Sequence, residues 1–174
     1  MEKNKMEKKE FKRDNIGQEY KWNLSDIYEN YSAWEKDFEK VGELKRELAK
    51  FKGQFGNEGK LLEFFQKQEE MDKISYKLYR YPQLARDLNS SDKEAVEHLQ
   101  KVQFLFAEIS TELSWVNSEL VDNRENIEKW IEKKEFDDYR FGLKNLFRLQ
   151  KHILEEKESK LLSYYSSFFS APRS

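Results

Sequence analysis

Apolar side chains recur along most of this chain at spacings of three and four residues, which is the period of an amphipathic α-helix. The first stripe ends before a glycine-bearing segment at 53–59, and its members are Trp34, Phe38, Val41, Leu44, Leu48 and Phe51. Just before it, Ser32-Ala33-Trp34-Glu35 matches a capping box, in which the serine and glutamate side chains bond to each other's backbone amides. We therefore predict a first helix that starts at Ser32.

A second stripe starts at about Lys60, and its members are Leu61, Phe64, Phe65, Met71, Ile74, Leu78 and Tyr81. Pro82 follows immediately. Because proline lacks a backbone N–H and its ring crowds the preceding turn, we expect a kink or break near Tyr81.

The longest stripe follows the capping signal Ser91-Asp92-Lys93-Glu94, and its members are Val96, Leu99, Val102, Phe106, Ile109, Leu113, Val116 and Leu120. A seam of about three heptads is typical of lengthwise helix packing. The pattern predicts a helix over 92–117 that lies antiparallel to the helix over 60–81. Residues expected to be buried in this pair are Leu99, Val102, Phe106 and Ile109.

Three shorter stripes predict helices after a cap at 122–125, near 137–150 and near 155–169. No internal repeat of fixed period is present, which favours an irregular bundle over a helical solenoid. The predicted fold is all-α: an irregular antiparallel helical bundle with long paired helices, about six helices in total. We expect one helical domain over 20–174, preceded by a disordered charged tail over 1–19.

The composition of the chain argues against nucleic-acid binding, cysteine chemistry and membrane insertion. The chain is 38% charged, with 32 basic and 34 acidic residues, so its net charge of −2 provides no overall field for a nucleic-acid partner. It has no cysteine, which excludes disulfides, thiolate metal sites and cysteine nucleophiles from this sequence. The charged first fourteen residues contain no signal-peptide core, and no stretch approaches the roughly 18 apolar residues of a membrane span. We expect a cytoplasmic protein without a membrane partner.

The residues that could support catalysis are sparse. Neither histidine, His98 or His152, belongs to a His-Glu-x-x-His motif. Glu94 precedes His98 by four residues, whereas metal sites in helical bundles use Glu-x-x-His, and Ala95 occupies that third position. The chain has no Gly-x-Ser-x-Gly and no P-loop ending after the glycines at 53–59, which we interpret as a flexible helix connection. We predict no catalytic, metal or cofactor-binding residue and no cofactor in this chain.

Acidic and aromatic side chains are both abundant. Adjacent carboxylates such as Glu69 and Glu70 are interpreted as solvated helix faces. Aromatic residues make up 15% of the chain, and some cluster near the carboxyl end: Tyr164, Tyr165, Phe168 and Phe169. This is a larger aromatic content than one bundle requires, so we expect an exposed apolar face that docks with a partner or allows weak self-association.

Several segments resemble one family in the same order along the chain. The stretch Tyr20-Lys21-Trp22-Asn23-Leu24-Ser25-Asp26-Ile27-Tyr28, followed by Ala33 to Phe38, resembles the opening of oligoendopeptidase F, a thimet-oligopeptidase-like zinc metallopeptidase. The later segments are Phe51 to Gly53, Leu78 to Tyr81, Arg86 to Asn89, and Leu146 to Leu162. Two positions depart from the family pattern, Lys151 and Ser118, where members often carry proline.

The resemblance implies an N-terminal helical region that forms part of the wall of a deep cleft. In the family, a later domain supplies His-Glu-x-x-His and a further glutamate, which bind zinc and activate water. Ser174 comes before any such motif, so we expect an amino-terminal fragment that is not catalytic alone. Zinc, a downstream catalytic domain and oligopeptide substrates are then implied for the parent enzyme. A stand-alone helical interaction module, or adaptor, remains the alternative, since long seams and mixed charge suit it equally well.

Overall fold

A computed structural model describes residues 22–149 and 156–164 of the chain. Helices dominate this part, and no strand occurs within it. The α-helices are α1 (Tyr31–Ala49), α2 (Glu58–Leu88), α3 (Lys93–Glu112), α4 (Val116–Asp122), α5 (Arg124–Trp130), α6 (Asp137–Arg148) and α7 (Glu156–Tyr164), with short 3₁₀ helices at Leu24–Asp26 and Lys134–Phe136. The predicted all-α class is confirmed. The predicted tail over 1–19 lies outside the described residues.

Helices α1 and α2 pack antiparallel. Trp34 at the start of α1 reaches Leu78 near the end of α2, with 2.8 Å between the indole nitrogen and the carbonyl oxygen. Near the other end, the ammonium of Lys67 lies 2.7 Å from the carboxylate of Glu47. Both contacts join the end of one helix to the start of the other.

Helix α3 runs parallel to α1 and therefore antiparallel to α2. The rings of Trp34 and His98, both near the starts of their helices, lie 4.7 Å apart. Further along, the ammonium of Lys45 lies 2.7 Å from the carboxylate of Glu108. The predicted lengthwise packing of α2 against α3 is confirmed.

Side-chain caps start the three long helices, and they are Asn30 for α1, Asn57 for α2 and Asp92 for α3. The Asp92 cap agrees with the sequence pattern. The predicted capping box at Ser32 is wrong, because Oδ1 of Asn30 already accepts the N–H of Ala33 at 3.0 Å and Ser32 lies inside the first turn.

The buried face of α3 differs in part from the predicted one. Leu99 and Val102 are buried as predicted, but Phe106 and Ile109 are only partly buried, and Leu105 is buried instead. An α-helix has 3.6 residues per turn, so residues spaced strictly by three and four drift around the helix and away from the core over several turns.

Helix α3 also ends earlier than predicted, at Glu112, and a turn over 113–115 separates it from α4. This turn brings Trp115 into the core, where its ring lies 5.2 Å from that of Phe55 and 6.0 Å from that of Phe64. Burial of the large Trp115 ring stabilises the chain more than three further residues of exposed helix would. It therefore favours the turn over a continuous helix.

The connection between α1 and α2 is held in place. Gly53 has φ +81°, a left-handed conformation that favours glycine. The carboxylate of Glu119 in α4 accepts the N–H groups of Gly53 and Phe55 at 2.7 and 2.9 Å, and the Phe55 ring is fully buried. Our interpretation of the glycines at 53–59 as a flexible connection is therefore wrong for its first part.

Helix α2 continues through Pro82 to Leu88, so of the predicted kink or break near Tyr81 the break is wrong. Pro82 cannot donate a hydrogen bond to the carbonyl of Leu78, one turn earlier. Instead, Nε1 of Trp34 donates to that carbonyl at 2.8 Å, and both Trp34 and Pro82 are fully buried. A side chain of α1 thus replaces the bond that the proline removes from α2.

Exchanging Trp34 for Phe should destabilise the fold by about 1–3 kcal/mol in addition to the lost packing, because the buried Leu78 carbonyl loses its donor. Pro82→Ala supplies a backbone N–H to the same carbonyl. Trp34→Phe should therefore cost less in the Pro82→Ala background than in the parent. Urea unfolding of the four proteins, followed by circular dichroism, measures this coupling, and equal costs in both backgrounds would contradict it.

Candidate functional site

His98 is a buried residue with one satisfied ring nitrogen. Its Nδ1 lies 2.8 Å from the carbonyl oxygen of Glu94, and because a carbonyl only accepts, we assign the proton of the neutral ring to Nδ1. Its Nε2 lies 4.0 Å from Oε1 of Glu35 and has no hydrogen-bond partner in the described part of the chain. The ring stacks on Tyr31 at 3.9 Å. His98 thus acts mainly as packing between α1 and α3.

Metal-ligating side chains do not converge in the part of the chain that the structure describes. Within 22–149 and 156–164, no group of three or more histidine, aspartate or glutamate residues could hold a metal ion. His152 lies outside those ranges. The residues around His98 also do not fit zinc, since Nδ1 is committed to a carbonyl and the Glu35 carboxylate, 4.0 Å from Nε2, lies too far to share a metal ion with it in this arrangement.

An aromatic cluster surrounds His98 at this end of the bundle. The ring of Tyr81 lies 5.5 Å from that of Tyr28 and 5.1 Å from that of Tyr31, both edge to face. The hydroxyl of Tyr28 donates to Asp37 at 2.7 Å. Burial, followed by this hydrogen bond to a carboxylate, raises the pKa of Tyr28 well above its ordinary value, and burial likewise raises the pKa of Tyr31 and Tyr81.

These phenols predict a loss of stability in alkali. Because their pKa in the folded chain lies above the value of about 10 in the unfolded chain, the unfolded chain releases protons first, and stability falls as the pH rises through about 10. The free energy of unfolding should therefore be lower at about pH 11 than at about pH 9. Tyr28→Phe should reduce this fall, whereas Tyr76→Phe, at an exposed position, should not. Urea unfolding at both pH values measures it, and identical falls in the two variants would contradict the assignment.

The adjacent acids Glu69 and Glu70 lie on exposed helix faces and pair with lysines. Glu69 lies 2.6 Å from Lys73, and Glu70 lies 2.6 Å from Lys40. The hydrogen bond from Lys73 lowers the pKa of Glu69, as expected for a surface pair and opposite to the shift of a general acid.

A concave surface lies between α1, α3 and α7. A depression of about 690 Å³ bordered by all three helices adjoins one of about 570 Å³ along α1 and α3, and Lys45, Phe104 and Glu108 line both. We call the two together the α1–α3 groove. Phe104 is 71% exposed where they meet. The mostly buried Lys45 holds Glu108 and Glu112 at 2.7 and 3.6 Å, so these charged side chains are paired beside the exposed Phe104.

Helix α7 closes one side of the α1–α3 groove. The hydroxyl of its Ser163 is hydrogen-bonded to that of Thr111 in α3 at 2.9 Å. Leu161, Leu162 and Tyr164 of the same helix are exposed. Of the aromatic residues expected to form an exposed face at the carboxyl end, Tyr164 is exposed, and the other three, Tyr165, Phe168 and Phe169, lie outside the described residues.

A second groove, of about 410 Å³, lies between α2, α4 and α6, and we call it the α2–α6 groove. Its wall is apolar at Phe65, Val116, Leu120, Leu143 and Leu146. Three carboxylates line it as well, those of Glu69, Asp72 and Asp138, without any lysine or arginine among the lining residues. Neither groove could be located from the sequence, because each joins residues from helices that are far apart along the chain.

The site chemistry predicts that the purified chain neither retains zinc nor cleaves peptides. A stable zinc site needs three or four converging nitrogen, oxygen or sulfur ligands, which the described ranges lack. Elemental analysis after dialysis should find zinc far below one ion per chain, and an unstructured peptide should remain intact. Stoichiometric zinc together with hydrolysis that a chelator abolishes would contradict this prediction.

Comparison with known proteins shows similarity to one family. A family model of the N-terminal region of M3 peptidases, described as Oligopeptidase F, matches residues 123–174. The Oligoendopeptidase F homolog of Borreliella burgdorferi is 25% identical over 93% of this chain and 28% of its own length. Oligopeptidase PepF of Bacillus subtilis is 26% identical over 87% of this chain and 23% of its own length.

The Oligoendopeptidase F of Lactococcus lactis subsp. cremoris is 24% identical over 92% of this chain and 27% of its own length. The chain thus spans about a quarter of the length of these relatives. No solved structure matches it significantly. No helix in the described ranges is long and apolar enough to cross a membrane.

Proposed function

We propose, from the similarity of this chain to the N-terminal domain of oligoendopeptidase F, that it is the substrate-access lobe of a zinc-dependent oligopeptidase. The supporting observation is the extent of the similarity, which covers about nine tenths of this chain but only about a quarter of each relative. In this proposal, peptide hydrolysis, zinc and the oligopeptide substrates belong to the parent enzyme. The parent acts in the cytoplasm.

In this function, the described residues form a shaped wall of the cleft and take no part in peptide hydrolysis. They do not fit zinc, so no step of hydrolysis is assigned to them. Three long helices with capped starts pack on one core, which suits them to form a preformed wall of the cleft. A rigid wall beside a catalytic cleft admits short unfolded peptides and excludes folded proteins.

The α1–α3 groove is the face that we assign to the downstream catalytic domain. It is apolar at its centre through Phe104, and the exposed Tyr164 of α7 lines the same groove. Contiguous exposed apolar side chains on a water-soluble domain indicate a docking surface. Docking along this groove fixes the lobe at the side of the cleft. The isolated chain would then self-associate weakly through the same surface.

Genomic sequence distinguishes this function from a stand-alone adaptor. An in-frame His-Glu-x-x-His downstream of codon 174 supports the peptidase lobe. A stop codon followed by unrelated sequence supports the adaptor.

A matched pair of substitutions tests the docking face. Phe104 and Phe141 are both exposed on helices, 71% and 84% respectively, but only Phe104 lines the α1–α3 groove. Burial of a phenylalanine contributes about 1.5–3 kcal/mol, so Phe104→Ser should weaken binding to the separately produced downstream domain by about tenfold or more. Phe141→Ser should not. Calorimetric titration measures binding, and sedimentation velocity of each variant alone tests self-association. Equal effects of the two substitutions would contradict the assigned face.

A further inference from the structure

We propose that the α2–α6 groove binds a peptide segment in which a lysine or arginine lies next to a large apolar side chain. This groove shares no lining residue with the α1–α3 groove, so its assignment does not depend on the proposed docking face. It also holds whether the chain acts as a peptidase lobe or as an adaptor. Three observations support it: a preformed apolar wall, unbalanced negative charge and an open glycine.

The apolar wall is fixed before any ligand binds. The ring of Phe65 in α2 stacks on that of Tyr139 in α6, with 4.7 Å between centroids and 24° between planes. The hydroxyl of Tyr139 lies 3.4 Å from the carboxylate of Glu69 in α2. Leu120 of α4 and Leu143 of α6 are buried beside them. A cavity of about 410 Å³ between such walls accommodates a small number of side chains.

The charge in the groove is negative and only partly compensated. Glu69 pairs with Lys73, but Asp72 and Asp138 have no ion-pair or hydrogen-bond partner among the described residues. Asp72 is exposed overall, but partial burial of its carboxyl raises its pKa, and no lysine or arginine lines the groove beside it. An ammonium or guanidinium group bound there would supply the missing charge. The apolar wall accounts for the second requirement, a neighbouring apolar side chain.

Gly142 leaves room for the ligand on the α6 side. It lies inside α6 with an ordinary negative φ, and a Cβ placed there would meet no atom within 4 Å. Glycine is less favourable than alanine inside a helix. At position 142, neither the backbone conformation nor crowding by neighbouring atoms requires a glycine. Because Gly142 has no side chain, the backbone of a bound peptide can approach α6 closely at this position.

The test uses the 174-residue chain labelled with ¹⁵N and the probe acetyl-Lys-Leu-Phe-Arg-amide. Titration at low salt should shift amide signals of Phe65, Asp72 and Gly142, and the binding should weaken as salt screens the charges. The control peptide acetyl-Glu-Leu-Phe-Glu-amide should not bind. Asp72→Asn and Asp138→Asn should each weaken binding by about two- to fivefold, as expected for partly exposed charge pairs.

Two glycine substitutions separate groove filling from general effects on the fold. Gly142→Leu should fill the α2–α6 groove and abolish binding, while thermal unfolding stays at or above the parent value. Gly42→Leu is the matched control, because Gly42 also lies inside a helix but lines the α1–α3 groove. It should leave binding unchanged. The proposal is overturned if the acidic peptide binds equally well, if the shifts map to the α1–α3 groove, or if a folded Gly142→Leu variant still binds the probe.

Discussion

The hydrogen bond from Trp34 to the carbonyl of Leu78 is the constraint on which the main helices depend. Pro82 would otherwise leave a buried carbonyl unpaired in the middle of the longest helix, and a buried unpaired carbonyl is costly. The indole of α1 satisfies it and thereby fixes the axial position of α1 relative to α2. Since Trp34 also contacts His98, the same residue sets the position of α3. One side chain thus determines how all three helices are aligned, and the α1–α3 groove inherits its shape from that alignment.

Sequence periodicity predicted the helices better than their ends and breaks. In the predicted stripe from Trp34 to Phe51, five of the six residues are buried and Phe38 is partly buried, because this burial follows from local spacing. The continuation of α2 through Pro82 was missed because the donor to the Leu78 carbonyl, Trp34, lies 44 residues away along the chain. The early end of α3 was missed for a similar reason: the turn over 113–115 is favoured by the contacts of Trp115 with rings of α2 and its preceding connection.

For the candidate site as well, features set by local sequence spacing could be predicted, whereas features formed by residues distant along the chain could not. That neither histidine has a ligand motif could be read directly from spacing, and the structure shows how His98 is used instead, as a stacked ring between helices. The two grooves could not be predicted. Each is formed by three helices, and its character depends on which exposed residues are left unpaired after packing. Asp72 and Asp138, for example, look like any other surface acids in the sequence.

The carboxylate of Glu119 gives the connection between α1 and α2 an unusual property. Glycine-bearing surface connections are ordinarily good places to insert a tag or to open new termini. Here the carboxylate of α4 holds the amides of Gly53 and Phe55, so an added residue would displace a fully buried ring and release two backbone donors together. The connection at 89–91 between α2 and α3 has only local bonds among the described residues: the Asn89 amide donates to Ala85, and the Ser91 and Asp92 amides donate to Asn89. For circular permutation or the insertion of a reporter domain, the connection without glycine is the more tolerant one.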